Sequence, residues 1–129
     1  MADGLGRSPV PDDFAPRPAA VDLARWAADD AAARPGRLDR LRERFERHDV
    51  QAYFGVRREN TRYLTGFVLG EGEEKVAGNS GQFIIGRDEV VVVVDSRYTI
   101  QADREATGAR IENIGYDLPG AWRRLVESL

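Results

Sequence analysis

Five consecutive valines, Val90 to Val94, break the alternation expected of a half-exposed strand. Such a run reads as a strand buried on both faces, as in the middle of an α/β sheet. Asp95, Ser96 and Arg97 follow at once, and a helix is predicted from about Tyr98 to Thr107, closed by Gly108. Gln82 to Ile85 and the valine run flank Gly86-Arg87-Asp88-Glu89, the pattern of an antiparallel hairpin. Ala52 to Gly55 and Ala109 to Ile114 read as further strands. Elsewhere a helical period takes over. Leu38, Leu41 and Phe45 share one face of a helix from Arg37 to His48. Arg58 to Leu64 reads as a helix followed by Gly66, which suits the left-handed position after a helix end. Leu118, Trp122, Leu125, Val126 and Leu129 form the apolar face of a last helix, with Pro119 in its first turn and Asp117 near the cap. The sum is an α/β fold: a mixed β-sheet flanked by helices.

The remaining stretches set the expected boundaries. Residues 1–19 are proline-rich with few large apolar side chains and read as a disordered leader. Residues 20–36 read as an alanine-rich helical extension, stopped by Pro35-Gly36. Residues 37–129 hold the sheet-forming pattern. Gly70 to Gly81 is a long glycine- and acid-rich loop. The last helix stops on its apolar face. Trp122, Leu125, Val126 and Leu129 are therefore expected to form an exposed surface on which a further domain packs.

Composition narrows the function classes. A chain of 129 residues suits one domain. It has no cysteine, which removes disulfides, zinc–thiolate sites and cysteine nucleophiles. Nothing resembles a signal peptide or an apolar span of about twenty residues, so a cytoplasmic location and no membrane partner are expected. The net charge of −3 argues against a nucleic-acid partner. All basic residues but Lys75 are arginine, which fits a coding bias toward arginine, alanine and glycine of a bacterial kind.

Candidate chemistry is sparse. The single histidine, His48, ends a helix, where the helix dipole explains it better than metal ligation does. The Gly70–Gly81 loop lacks the Gly-Lys-Ser/Thr ending of a phosphate loop, and Glu71, Glu73 and Glu74 would repel phosphate. Asp95, Arg97 and Tyr98 follow the valine strand, at the kind of strand end where α/β proteins meet ligands. The functional reading makes them part of a substrate entrance. The architectural reading, which is favoured, buries Arg97 in an ion pair with Asp95 and packs Tyr98 between helix and sheet. A third reading joins Asp95 to Asp103, Glu105 or Glu112 as magnesium ligands.

Three ordered segments carry a resemblance. They are Asp95-Ser96-Arg97-Tyr98 with Gln101-Ala102; Asn60 with Tyr63-Leu64-Thr65-Gly66-Phe67; and the helix Arg37–His48 running into Val50-Gln51-Ala52-Tyr53-Phe54. Together they resemble the N-terminal domain of the creatinase, prolidase and aminopeptidase P family. The resemblance implies a ribonuclease-H-like α/β fold that precedes a "pita-bread" catalytic domain. In aminopeptidase P and prolidase that second domain binds two metal ions through two aspartates, a histidine and two glutamates. No such set maps onto this chain, so no catalytic residue, metal ligand or cofactor is assigned to it. The implied role is that of a fragment of an Xaa-Pro metallopeptidase, a hydrolase, inactive alone. It would supply homo-oligomer contacts and part of the substrate entrance. The alternatives are a stand-alone magnesium-dependent ribonuclease-H-like hydrolase and a free-standing dimerisation module.

Overall fold

The computed structural model describes residues 17–70, 73, 77–115 and 117–129. Most of the expected leader, and Glu71 and Glu74 of the long loop, lie outside the described residues. The chain divides into two compact units, 1–32 and 33–129. In the first, helix from Ala20 onward leaves Val21, Leu23 and Trp26 about half exposed or more, and Arg25 pairs with Asp22 at 3.1 Å.

The expected stop at Pro35-Gly36 does not occur. One helix, α1, runs Ala20–His48 with Pro35 inside it. Proline removes one helical hydrogen bond and crowds the preceding turn, at a cost of about 3 kcal/mol. Two features offset that cost: alanine-rich flanks of high helix propensity, and Leu38, Leu41 and Phe45, which pack on the sheet beyond the proline. The helix ends with paired bonds, Asp49 N–H to Glu46 O (3.4 Å) and Val50 N–H to Phe45 O (3.0 Å), and Asp49 takes a left-handed φ of 52°. This is a Schellman end with aspartate where glycine is usual.

The second unit continues as β1 (Tyr53–Gly55), α2 (Arg58–Thr65), β2 (Gln82–Ile85), β3 (Val90–Val94), α3 (Thr99–Glu105), β4 (Arg110–Asn113) and α4 (Leu118–Ser128). The strand order is β1-β2-β3-β4, antiparallel for the first two pairs and parallel for β3 with β4. This is the mixed sheet the pattern predicts. Gly66 ends α2 with φ 91°, so that its N–H bonds Arg62 O at 3.0 Å. Asp117 caps α4, its Oδ1 accepting from Gly120 N–H at 3.0 Å.

The five valines divide between three buried clusters on the two faces of the sheet. Val92 and Val94 pack with Phe67, Tyr98, Ala102 and Ala106. Val90 joins Phe45, Leu64, Phe83 and Ile85. On the opposite face Val91 and Val93 pack with Ile84, Ile114, Ala121 and Leu125. Side chains alternate along a strand, so a helix on each face is what leaves every valine buried. Leu125 is therefore a core residue, 1% exposed, which corrects its expected place on an exposed surface. Helix α4 must bury one stripe to hold Val91 and Val93, and Leu125 lies on that stripe. Val126 and Leu129 are exposed and Trp122 is partly buried.

Candidate functional site

Strands β3 and β4 are parallel neighbours, yet the helices that follow them leave on opposite faces. α3 covers Val92 and Val94, and α4 covers Val91 and Val93. The two chain paths thus part at the carboxyl ends of β3 and β4, the end of an α/β sheet at which ligands are usually met. Asp95, Ser96 and Arg97 follow β3 there, and Asn113 ends β4. Asn113 Nδ2 donates to Ser96 Oγ at 3.2 Å, joining the two strand ends.

Asp95 and Arg97 form the expected pair. Nη2 reaches Oδ2 at 2.7 Å, Nε reaches Oδ1 at 3.1 Å, and the Arg97 backbone N–H bonds Oδ1 at 2.9 Å. The Asp95 backbone N–H in turn donates to the buried Ser80 Oγ at 2.9 Å. The Arg97 side chain is 56% exposed and that of Asp95 25%. The expected buried ion pair is thus a surface pair. Its position explains this: the strand ends at Val94, and the sheet layer that would bury the pair ends with it. The guanidinium hydrogen bond holds the Asp95 carboxyl below its ordinary range, and the carboxylate raises Arg97.

Tyr98 behaves as the architectural reading expects. It is buried, and its ring meets Phe67 edge-on at 6.1 Å between centroids. Its hydroxyl donates weakly to Glu73 Oε2 at 3.4 Å, and burial, aided by that carboxylate, raises its pKa. Arg97 lies over the same ring, 5.4 Å from the centroid. Sequence reasoning missed two partners here, Ser80 and Glu73. Both sit in or beside a loop without period, and no local signal marks them.

The motif segments around Phe67 and Tyr98 prove to be one structural unit. Besides the Phe67–Tyr98 contact, Gln101 Nε2 donates to Val68 O at 2.6 Å, and the Val68 N–H donates to Glu105 Oε1 at 3.0 Å. Side chains of α3 thereby satisfy a backbone segment that has no strand partner. Ala102, fully buried, lets α3 approach Val92 and Val94.

The acidic set proposed for magnesium is not assembled. Glu105 is engaged by Val68 and Gln101, Glu112 faces Arg110 at 3.7 Å, and Asp95 is spent on Arg97. Among the described residues no three His, Cys, Asp or Glu side chains converge as a metal site. No described helix is long and apolar enough to cross a membrane.

A second feature lies on the α4 face of the sheet. A groove of about 900 Å³ runs between the hairpin loop and the last helix, walled by Phe54, Ile84, Trp122, Val126 and Leu129. Phe54 meets Trp122 edge-on at 4.8 Å. Three of the four expected interface residues, Trp122, Val126 and Leu129, line it.

Residues 37–129 match the sequence profile of the creatinase/prolidase N-terminal domain. No curated protein sequence matches the chain. Among solved structures, an Xaa-Pro aminopeptidase from Streptococcus pyogenes is similar with a TM-score of 0.60 and 23% identity, over 76% of this chain and 68% of that one. The creatinase/prolidase N-terminal domain of an X-Pro dipeptidase from the same organism is similar with a TM-score of 0.55 and 18% identity, over 73% of this chain and 67% of that one. An X-Pro aminopeptidase from Thermotoga maritima matches over 70% of this chain but only 24% of its own, with a TM-score of 0.54 and 20% identity. At these identities the likenesses show the fold.

Proposed function

Because the chain belongs to the creatinase/prolidase N-terminal domain family, we propose that it serves as the non-catalytic N-terminal module of an Xaa-Pro metallopeptidase. In that role it contributes oligomer contacts and one wall of the substrate entrance, through Asp95, Arg97 and Tyr98. The observation that carries this reading is the Asp95–Arg97 pair. It is geometrically fixed, solvent-facing, and placed where the chain paths after β3 and β4 part, and among the described residues no three metal-ligating side chains converge. A surface pair of this kind contributes little to stability, so the fixed orientation of Arg97 is better explained by what it faces than by what it holds together.

The parent's hydrolysis would use two divalent metal ions held by a pita-bread domain. The described residues of this chain do not fit such ions, so the chain's own residues bind and orient rather than activate water. Helix α4 and the groove beside it are the surface proposed for that domain, since Trp122, Val126 and Leu129 are apolar and incompletely covered. The magnesium-hydrolase alternative loses its support with the commitment of Asp95 to Arg97.

The test uses the longer protein that carries this module. Arg97→Gln is expected to raise KM for Xaa-Pro peptides, with kcat and melting temperature nearly unchanged. An unchanged KM refutes the entrance role. Val126→Asp with Leu129→Asp is expected to weaken association of this chain with a separately produced catalytic domain. Equal binding by the variant refutes the interface role.

A further inference from the structure

Arg97 offers more than a place at an entrance. A guanidinium presents two hydrogen-bonding edges suited to a planar two-oxygen anion. Asp95 occupies one of them, through Nε and Nη2. The other, with Nη1, meets no acceptor among the described residues. Two further contacts hold the plane in place: the backbone N–H of Arg97 on the same carboxylate, and the Tyr98 ring beneath it. Tyr98 is itself fixed in the core against Phe67. An arginine ordered in this way has already lost the side-chain freedom that binding would otherwise cost. The sheet topology points independently to the same spot, because the chain paths after β3 and β4 part there to opposite faces.

We propose that the outer edge of Arg97 is a carboxylate-recognition site, with Asp95 as its positioning residue. This rests on the entrance reading above and deepens it: the substrate feature read here is a free carboxylate, as at the C-terminus of a short peptide. Asp95 cancels the charge of the guanidinium. Recognition therefore depends on the paired geometry of two oxygens more than on net attraction, and monatomic anions should compete poorly. Lysine replaces the arginine only in part, since an ammonium is a point charge without the planar pair of donors that an arginine edge presents.

The chain itself suffices for the test. Isotope-labelled protein is titrated with N-acetylglycine, and with N-acetylglycinamide as the uncharged control, at constant ionic strength. Saturable shifts of the Arg97 side-chain N–H signals and the Ser96 amide are expected with the carboxylate only. Arg97→Gln should abolish them, and Arg97→Lys and Asp95→Asn should each weaken binding by about tenfold, roughly what loss of one charge-assisted bond implies. All three variants should keep the parent melting temperature. Equal shifts with the amide, shifts that survive Arg97→Gln, displacement by equimolar chloride, or no shift at all would each overturn the proposal. If the carboxylate binds as expected but Arg97→Gln leaves peptide cleavage in the longer protein unchanged, the site stands and the entrance reading falls.

Discussion

Tyr98 is 8% exposed and its neighbour Arg97 more than half exposed, so one short segment serves both the core and the surface. This split makes the residue-scale predictions separable. The folded state holds the Tyr98 pKa above its ordinary value of 10.0, mainly through burial. The folded chain therefore keeps the phenol proton at pH values where the unfolded chain loses it. The contribution is fully present below about pH 10 and is lost as pH rises beyond that. Tyr98→Phe should flatten the alkaline fall in stability, measured as denaturant midpoint against pH from 8 to 11. For Asp95 the sign is opposite. Its lowered pKa gives a contribution present above 3.8 and lost as pH falls through the folded value, and it is small because the pair faces solvent. A third residue-scale expectation concerns Asp49. Its φ of 52° is a conformation glycine adopts without strain. Asp49→Gly should stabilise the chain by about 0.5–1 kcal/mol, read as a higher melting temperature. A fall would show that the Asp49 side chain makes a compensating interaction.

At the scale of elements, β1 depends on a missing side chain. A Cβ on Gly55 would run into the ring of Phe83, which is itself fully buried and paired across the strands with Gly55. Overpacking of this kind typically costs 1–3 kcal/mol. Gly55→Ala should lower stability by about that amount, and Phe83→Leu in the same background should restore part of it. Additive losses would indicate that the two positions do not clash. Helix α1 gives the converse case. Pro35 sits inside a helix that continues through it. Pro35→Ala should raise stability by up to about 3 kcal/mol, with a gain in helical circular dichroism. No gain would mean that the proline's fixed φ already compensates by restricting the unfolded chain.

At the scale of the whole molecule, the described residues offer one polar strand-end site and one apolar groove, on different parts of the same sheet. The purified chain should cleave no Xaa-Pro peptide with manganese, cobalt or zinc added. Turnover that a chelator abolishes would contradict the assignment of catalysis to another domain. The groove is expected to bind a hydrophobic fluorophore, and Val126→Asp should reduce that signal without lowering the melting temperature, since Val126 is 65% exposed. A matching loss of stability would place Val126 in the core instead.

Much of this fold is legible in the chain because its signals are local. An unbroken valine run has one reading, a strand covered on both sides. The hairpin follows from a polar four-residue break between apolar strands. Gly66 and Asp117 mark helix ends through backbone freedom and side-chain capping, which act over three or four residues. The Asp95–Arg97 pair is legible for the same reason, as the partners lie two residues apart. Tertiary structure decided what depends on distant neighbours. The helix through Pro35 persists because residues beyond it pack on the sheet. Leu125 turned inward because α4 must bury one stripe against Val91 and Val93. The exposure of Arg97 was set by where the sheet layer ends; Ser80 reached the backbone of Asp95 and the Tyr98 ring lay beneath Arg97. Periodicity reports which face of an element is apolar. It does not report how much of that face another element covers, because burial is a property of the assembled layers.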